Sequence, residues 1–252
     1  TLSIGNLEMI YDSNMYYDNG TKYAPWYSTL ISDVAMSADN ISVACYLKDA
    51  KWMFMSFPFD IRVSDIVPLY DNTDFVIRKY SGKERADGNL SKTWQNMTAD
   101  SVLRANEGYI WQCNRYNESF SGFKVYSVNN LNKNLIFTKD ISTVALNEYS
   151  ANLSQNKNWN LIGNPYPCYY DTRAMDFTAP ITIWDERNNT YRAYSPIDDS
   201  YILRPGEAFF VQRPANRECI NFPANGRQSD GIVKELSTIN VARSKSNIRQ
   251  VY

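Results

Sequence analysis

Two stretches of this chain recur. Trp52-Met-Phe-Met-Ser-Phe-Pro58-Phe59 is answered by Trp159-Asn-Leu-Ile-Gly-Asn-Pro165-Tyr166. Leu103-Arg-Ala-Asn-Glu107-Gly-Tyr-Ile110-Trp-Gln112 is answered by Leu203-Arg-Pro-Gly-Glu207-Ala-Phe-Phe210-Val-Gln212. An internal repeat restricts the fold to one that tolerates the same unit twice. It also sorts residues. A side chain kept in both copies is expected to serve the scaffold, and one found in a single copy is free to serve function.

Trp52 and Trp159 lie 107 positions apart, and Arg85-Ala86 matches Arg192-Ala193 at the same offset. Leu103 and Leu203 lie 100 apart, so the first copy carries seven extra residues, placed near Asn89–Trp94. An insertion with register kept on both sides is what a surface loop tolerates. Short β-branched and aromatic runs recur, such as Ile41–Leu47, Phe75–Tyr80, Phe123–Val128 and Ile181–Trp184. Turn clusters such as Ala86-Asp-Gly-Asn and Ala224-Asn-Gly-Arg separate them, which reads as strands joined by tight turns. The expected fold is all-β, a β-sandwich or jelly-roll-like unit with two pseudo-repeated halves. The halves span about 42–128 and 151–224 of a single composite domain over 1–252. Both chain ends are expected to continue in a longer parent protein.

Net charge is −1 with Lys and Arg scattered, which excludes a nucleic-acid surface built on clustered cations. Histidine is absent, which removes Ser-His-Asp and Cys-His chemistry and the commonest metal ligand. Cys45, Cys113, Cys168 and Cys219 form no CxxC pair, so buried free thiols are expected ahead of one disulfide. No metal and no cofactor are expected. No apolar run approaches the roughly 20 residues that span a bilayer.

Asn158-Trp-Asn-Leu-Ile-Gly-Asn-Pro-Tyr-Pro167 resembles the "WNLIGNPYP" motif of large secreted and cell-surface proteins of Bacteroidetes bacteria. Ile181-Thr-Ile-Trp-Asp185, Thr190-Tyr-Arg-Ala-Tyr194 and Pro205-Gly-Glu-Ala-Phe-Phe-Val211 follow in the family's order, the last resembling its "PGxxFFV" strand. Ser56-Phe-Pro-Phe-Asp60 through Glu107-Gly-Tyr-Ile-Trp111 resembles the companion half seen in Bacteroides surface proteins, some with leucine-rich repeats. The resemblance implies an extracytoplasmic, secreted or outer-membrane location and a non-catalytic β module among other domains of one exported chain. It brings no catalytic residues.

Residues held in both copies are assigned to structure (Trp52, Trp159, Pro58, Pro165, Glu107 and Glu207), and Pro167 of the NPYP turn is assigned with them. Trp52 and Trp159 are expected in the core rather than as a sugar-stacking platform. An aromatic–proline bond in these turns is a place for a cis peptide. Glu107 and Glu207 are expected to accept backbone N–H groups in the turn before each strand. Asp198-Asp199 and Asp185-Glu186 lack calcium-loop spacing and read as solvated turns. The unmatched aromatics are the binding candidates: Trp94, Tyr169, Tyr170, Tyr191 and Tyr194, with Trp26, Tyr27 and Tyr201 beside them. A flat ring with a polar edge suits a glycan or a cell-surface protein. A patch of Tyr169, Tyr170 and Tyr194 beside the NPYP corner is the functional reading, set against the structural one of tyrosines packed on the sheet with their hydroxyls in water.

The function expected is a structural or adhesive module without catalysis. The alternative is a carbohydrate-binding module using loop aromatics. A carboxylate-dependent glycoside hydrolase, needing two convergent acids, ranks last.

Overall fold

Alternating large apolar residues favour an extended backbone, because successive side chains leave opposite faces of a strand. The computed structural model describes residues 2–13, 17–18, 21–22, 26–32, 34, 36–48, 51–115, 120–128, 141–186 and 188–232. The terminal run Ile248–Tyr252 and the Trp26 side chain lie outside this description. Among the described residues the chain is nearly all β. The strands form seven small sheets, with one short helix at Gly82–Ala86.

Beside a five-stranded sheet that holds Leu2–Asp12 and Met36–Lys48, two four-stranded antiparallel sheets carry the matched stretches. One runs in the order Trp94–Asn96, Thr73–Tyr80, Tyr109–Arg115, Trp52–Met55. The other runs Thr190–Tyr194, Ile181–Asp185, Ala208–Gln212, Trp159–Gly163. Their registers correspond. Trp52 lies opposite Gln112, and Trp159 opposite Gln212. Trp94 lies opposite Tyr80, and Tyr191 opposite Trp184.

That register corrects the expected Arg-Ala match. Arg85 and Ala86 end the short helix, whereas Arg192 and Ala193 sit within a strand. Thirteen residues, Ser81–Thr93, link Tyr80 to Trp94, against six between Trp184 and Tyr191, which accounts for the seven-residue excess. Ser81 starts the extra helix by accepting a hydrogen bond from Glu84 N–H at 3.2 Å. Trp94 and Tyr191 each pair with an aromatic residue across their own hairpin, Tyr80 and Trp184.

Further strands flank these sheets. Leu2–Asp12 pairs in parallel with Met36–Lys48, which pairs antiparallel with Phe120–Tyr126. Ser142–Ala145 pairs antiparallel with Cys219–Phe222 and, among the described residues, with no other strand.

Alternation divides each central sheet between two cores. Met53, Met55, Tyr109 and Trp111 point into a first core, where Trp111 stacks on Phe123 with ring centroids 4.4 Å apart. Ile162, Phe209 and Val211 point into a second core with Tyr170, Phe177 and Phe222. The opposite faces meet in a third cluster of Phe54, Tyr80, Ile110, Leu161, Ala208 and Phe210, rimmed by Trp52, Trp94, Trp159 and Trp184. Trp52 and Trp159 are half-buried there, each with an arginine guanidinium over its ring: Arg78 at 4.8 Å and Arg85 at 4.6 Å.

The two sheets also clasp through their backbones, reciprocally. Ser56 N–H donates to Gly206 O, and Gly163 N–H donates to Asn106 O, both at 2.9 Å. Met55 bridges Glu207, and Ile162 bridges Glu107. Gly163 is required at this crossing. A Cβ there would lie 1.9 Å from Ser56 Oγ, far inside contact distance.

The Asn164-Pro165-Tyr166-Pro167 corner is built from the same motif. Asn164, fully buried, donates from Nδ2 to Cys168 O and Arg204 O and accepts from Tyr166 N–H. The Tyr166 hydroxyl donates to Phe222 O at 2.6 Å and accepts from Ser142 N–H at 3.1 Å, bridging the paired strands beside it. Pro165 and Pro167 are buried, and Pro58 is half-buried. Every peptide bond described is trans, so the expected cis proline is absent among the described residues.

Candidate binding site at the Glu107 turn

The segments Leu103–Gly108 and Leu203–Ala208 both fold into tight turns. The third turn residue adopts a left-handed backbone in each: Asn106 at φ 62° and Gly206 at φ 73°. The following glutamate ties the turn together. Glu207 Oε2 accepts from Arg204 N–H at 2.8 Å, and its Oε1 accepts from the Tyr201 hydroxyl at 2.7 Å and from Arg204 Nη2 at 3.1 Å. At the other turn a tyrosine relays the bond. Arg104 N–H donates to Tyr109 Oη, which donates to Glu107 Oε2 at 2.8 Å. Lys79 Nζ reaches the same oxygen at 3.1 Å, leaving Oε1 outside both bonds.

The surroundings of the two carboxylates differ. Glu207 is 3% exposed, and the Glu107 side chain is 39% exposed. Burial opposes the Arg204 charge, and the attraction of Glu207, Tyr27 and Glu186 outweighs it, so the guanidinium pKa stands well above its ordinary value. Burial and the Glu207 charge together hold the Tyr201 phenol well above its ordinary value, which keeps it a donor.

A cleft of about 320 Å³ opens beside Glu107. That volume reaches the lower end of sites that hold small molecules, roughly 300 Å³. Lys79, Asn106 and Glu107 supply polar groups, Tyr149 and Trp159 supply aromatic surface, and the strand Thr143–Ala145 forms one wall. Burial and the Glu107 charge raise the Tyr149 phenol above its ordinary value, with Asn147 opposing. Asn106 Oδ1 is buried with no hydrogen-bond partner among the described residues. A buried acceptor left unmade costs about 1–3 kcal/mol, whereas the acceptor that the cleft itself presents is Oε1 of the part-exposed Glu107.

The corresponding space beside Glu207 has shrunk to about 20 Å³, room for about one water. Tyr11 and Tyr27 line what remains of it. Tyr11 packs so closely on Gly206 that a Cβ there would lie 2.7 Å from its ring. Tyr27 lies 5.8 Å from the Arg204 guanidinium, centroid to carbon, with 5.7 Å between the two tyrosine rings. Both tyrosines come from the first 40 residues, which match nothing else in the chain.

The aromatic candidates fall in different places. Tyr170 is fully buried in the second core and donates to Pro223 O at 3.0 Å, so it offers no face to a ligand. Tyr169 is half-buried with its ring edge-on to Tyr27 at 6.2 Å. Tyr194 packs on Tyr201 at 4.6 Å. Trp94 packs on Tyr80 and Phe210 within the third cluster. Tyr191 is the most open of the five, 51% exposed, with its ring edge toward Trp184. None of the five lines the Glu107 cleft.

Asn106, Lys79, Tyr149, Thr143 and Ala145 line the cleft without having been singled out. The available signal was the Ala105-Asn106 against Pro205-Gly206 difference between the Leu-Arg and Glu residues that the two turns share. The four cysteines are free, three of them buried. Burial pushes the Cys168 thiol up to about 12 against the opposing pull of Arg227, which makes it a packing group rather than a nucleophile. Asp185 accepts from Asn188, and Asp198 and Asp199 accept from Ser195, all within their own turns. No group of three metal-ligating side chains occurs among the described residues, and no helix among them is long and apolar enough to cross a membrane. No protein-family model matches the chain, and comparison with curated proteins and with solved structures returns no match.

Proposed function

We propose that this chain is a non-catalytic adhesive module of an exported bacterial surface protein. In this reading it consists of two copies of one sandwich-like β unit, packed through their central sheets, with recognition at the Glu107 cleft. The observation that carries it is the contrast between the two turns. Glu207 is consumed by its own turn and by Arg204, whereas Glu107 stands half-exposed at an open cleft with an unpartnered acceptor beside it. The matching registers and the reciprocal Ser56–Gly206 and Gly163–Asn106 bonds support the two-copy reading. The Asn158–Pro167 resemblance supports export and a surface location.

A second reading, carbohydrate binding, has one observation of its own. Tyr149 and Trp159 share the cleft with Glu107 and Asn147, and such mixed aromatic and polar walls suit a sugar ring.

The test is binding of the purified chain to immobilised cell-surface proteins and glycans, with Lys79→Ala and Asn106→Ala variants alongside. Saturable binding that weakens at least tenfold in either variant, with the bound material chemically unchanged, is the expected result. Cleavage of a glycan that disappears in Glu107→Gln would overturn the non-catalytic reading. Binding untouched by both variants would place recognition elsewhere.

A further inference from the structure

The open strand edge next to the cleft indicates what the cleft takes. Leu146 N–H donates to Glu218 O, which fixes the alternation of the Ser142–Ala145 strand. Val144 then faces its partner strand, and the N–H and C=O of Thr143 and Ala145 turn outward. Both residues are exposed, and both line the cleft. An unpaired edge is a template for another strand.

The chain contains its own precedent. Ser127 N–H donates to Ile41 O, so Ser42, Ala44 and Tyr46 turn away from the Phe120–Tyr126 strand. Leu2–Asp12 covers that edge in parallel, with Tyr11 opposite Cys45 and Ser13 N–H reaching Tyr46 O. The same strand delivers the Tyr11 ring to the Glu207 turn. One edge and turn are therefore closed by a tyrosine-bearing strand, while no described strand covers the Ser142–Ala145 edge beside the Glu107 turn.

We propose that the Ser142–Ala145 edge and the Glu107 cleft together receive an extended, tyrosine-bearing peptide strand from another protein. Its backbone pairs with Thr143 and Ala145, and its tyrosine enters the cleft and donates its hydroxyl to Glu107 Oε1, the carboxylate oxygen left outside the Lys79 and Tyr109 bonds. This is strand addition, in which main-chain bonds give affinity and a side-chain pocket gives specificity. The chain's own Leu2–Asp12 strand is already committed to the first edge, and every other described strand is likewise paired within the chain, so the donor is assigned to another protein. The proposal rests on the adhesive reading and names its ligand class.

A synthetic peptide with the sequence of residues 2–13 serves as the probe, titrated into the full chain. Saturable one-to-one binding is expected, weakened at least tenfold when the peptide's tyrosine becomes alanine and about threefold or more when it becomes phenylalanine. Ala145→Pro is expected to weaken binding at least tenfold at unchanged melting temperature. Proline is tolerated where the N–H faces outward on an edge strand. Glu107→Ala removes the phenylalanine–tyrosine difference. No saturable binding, or binding indifferent to Ala145→Pro, overturns the proposal. Binding of an oligosaccharide lost in Asn106→Ala, with no peptide binding, overturns it while leaving the adhesive reading standing. Loss of neither ligand in the cleft variants overturns both.

Discussion

The Glu107 and Glu207 turns share a backbone and differ in what lies against them. At Glu207 a tyrosine-bearing strand from the first 40 residues fills the space, and the carboxylate, Arg204 and Tyr201 form one buried network. At Glu107 a cleft of about 320 Å³ stands beside the turn, the adjoining strand edge pairs with no other strand among the described residues, and the carboxylate shares one oxygen between Lys79 and Tyr109. The same local sequence thus builds a piece of scaffold in one place and a candidate docking site in the other. The difference comes from long-range packing, not from the turn itself.

The largest expected effect separates the two glutamates. Glu207→Ala leaves the half-buried Arg204 with a lost partner (its side chain is 23% exposed), and breaking a buried pair costs roughly 3–5 kcal/mol. Glu107→Ala removes a pair exposed by 45% and 39%, which is worth under about 1 kcal/mol. Denaturant unfolding of both variants checks this, and equal losses would dissolve the contrast.

Next comes the clasp that sets the turns in place. Gly163→Ala forces a Cβ onto Ser56 and is expected to cost about 1–3 kcal/mol, in the range of core overpacking. Ser56 Oγ is buried without a partner, so Ser56→Gly removes the obstacle and no hydrogen bond. Thermal melts of the double variant are expected to recover most of the loss. Additive losses would place the strain elsewhere.

A smaller effect is expected at Tyr170. Tyr170→Phe loses the bond to Pro223 O, about 1 kcal/mol, and leaves cleft binding unchanged. A binding defect at normal stability would restore this residue as a ligand contact.

The smallest effect is a pH dependence confined to the filled turn. Burial by itself raises the Glu186 carboxyl, but the attraction and hydrogen bond of Arg204 prevail and hold it below its ordinary 4.5. A carboxyl depressed in the fold adds stability above its unfolded pKa and loses it as pH falls through the lower folded value. Melting temperature measured from pH 6 down to pH 3 is expected to fall less in Glu186→Gln than in the parent chain. Identical slopes would remove this pair from the account.

Much of the scaffold was legible in the residues. Strand-type runs and turn clusters marked an all-β chain, and the motif residues from Asn158 to Pro167 have structural work in the corner and the clasp. Three things were hidden. Arg85-Ala86 resembled Arg192-Ala193 by composition, but a Ser81-capped helix occupies the first hairpin, and short identities inside an insertion carry no register. The tyrosines also misled. A phenol suits a core with one bonded hydroxyl as well as an open face, so Tyr170 and Tyr191 look alike until their neighbours are known. The cleft depends on Thr143, Asn106 and Tyr149 meeting across the fold, and no local pattern announces such a meeting.

Amide hydrogen exchange on the free chain tests the central contrast most directly, because it reads both strand edges at once. The account predicts rapid exchange at Thr143 and Ala145, whose N–H groups face outward, and strong protection at Ala44, whose edge is covered by Leu2–Asp12. Equal protection at Thr143, Ala145 and Ala44 would mean that both edges are closed, and would contradict it.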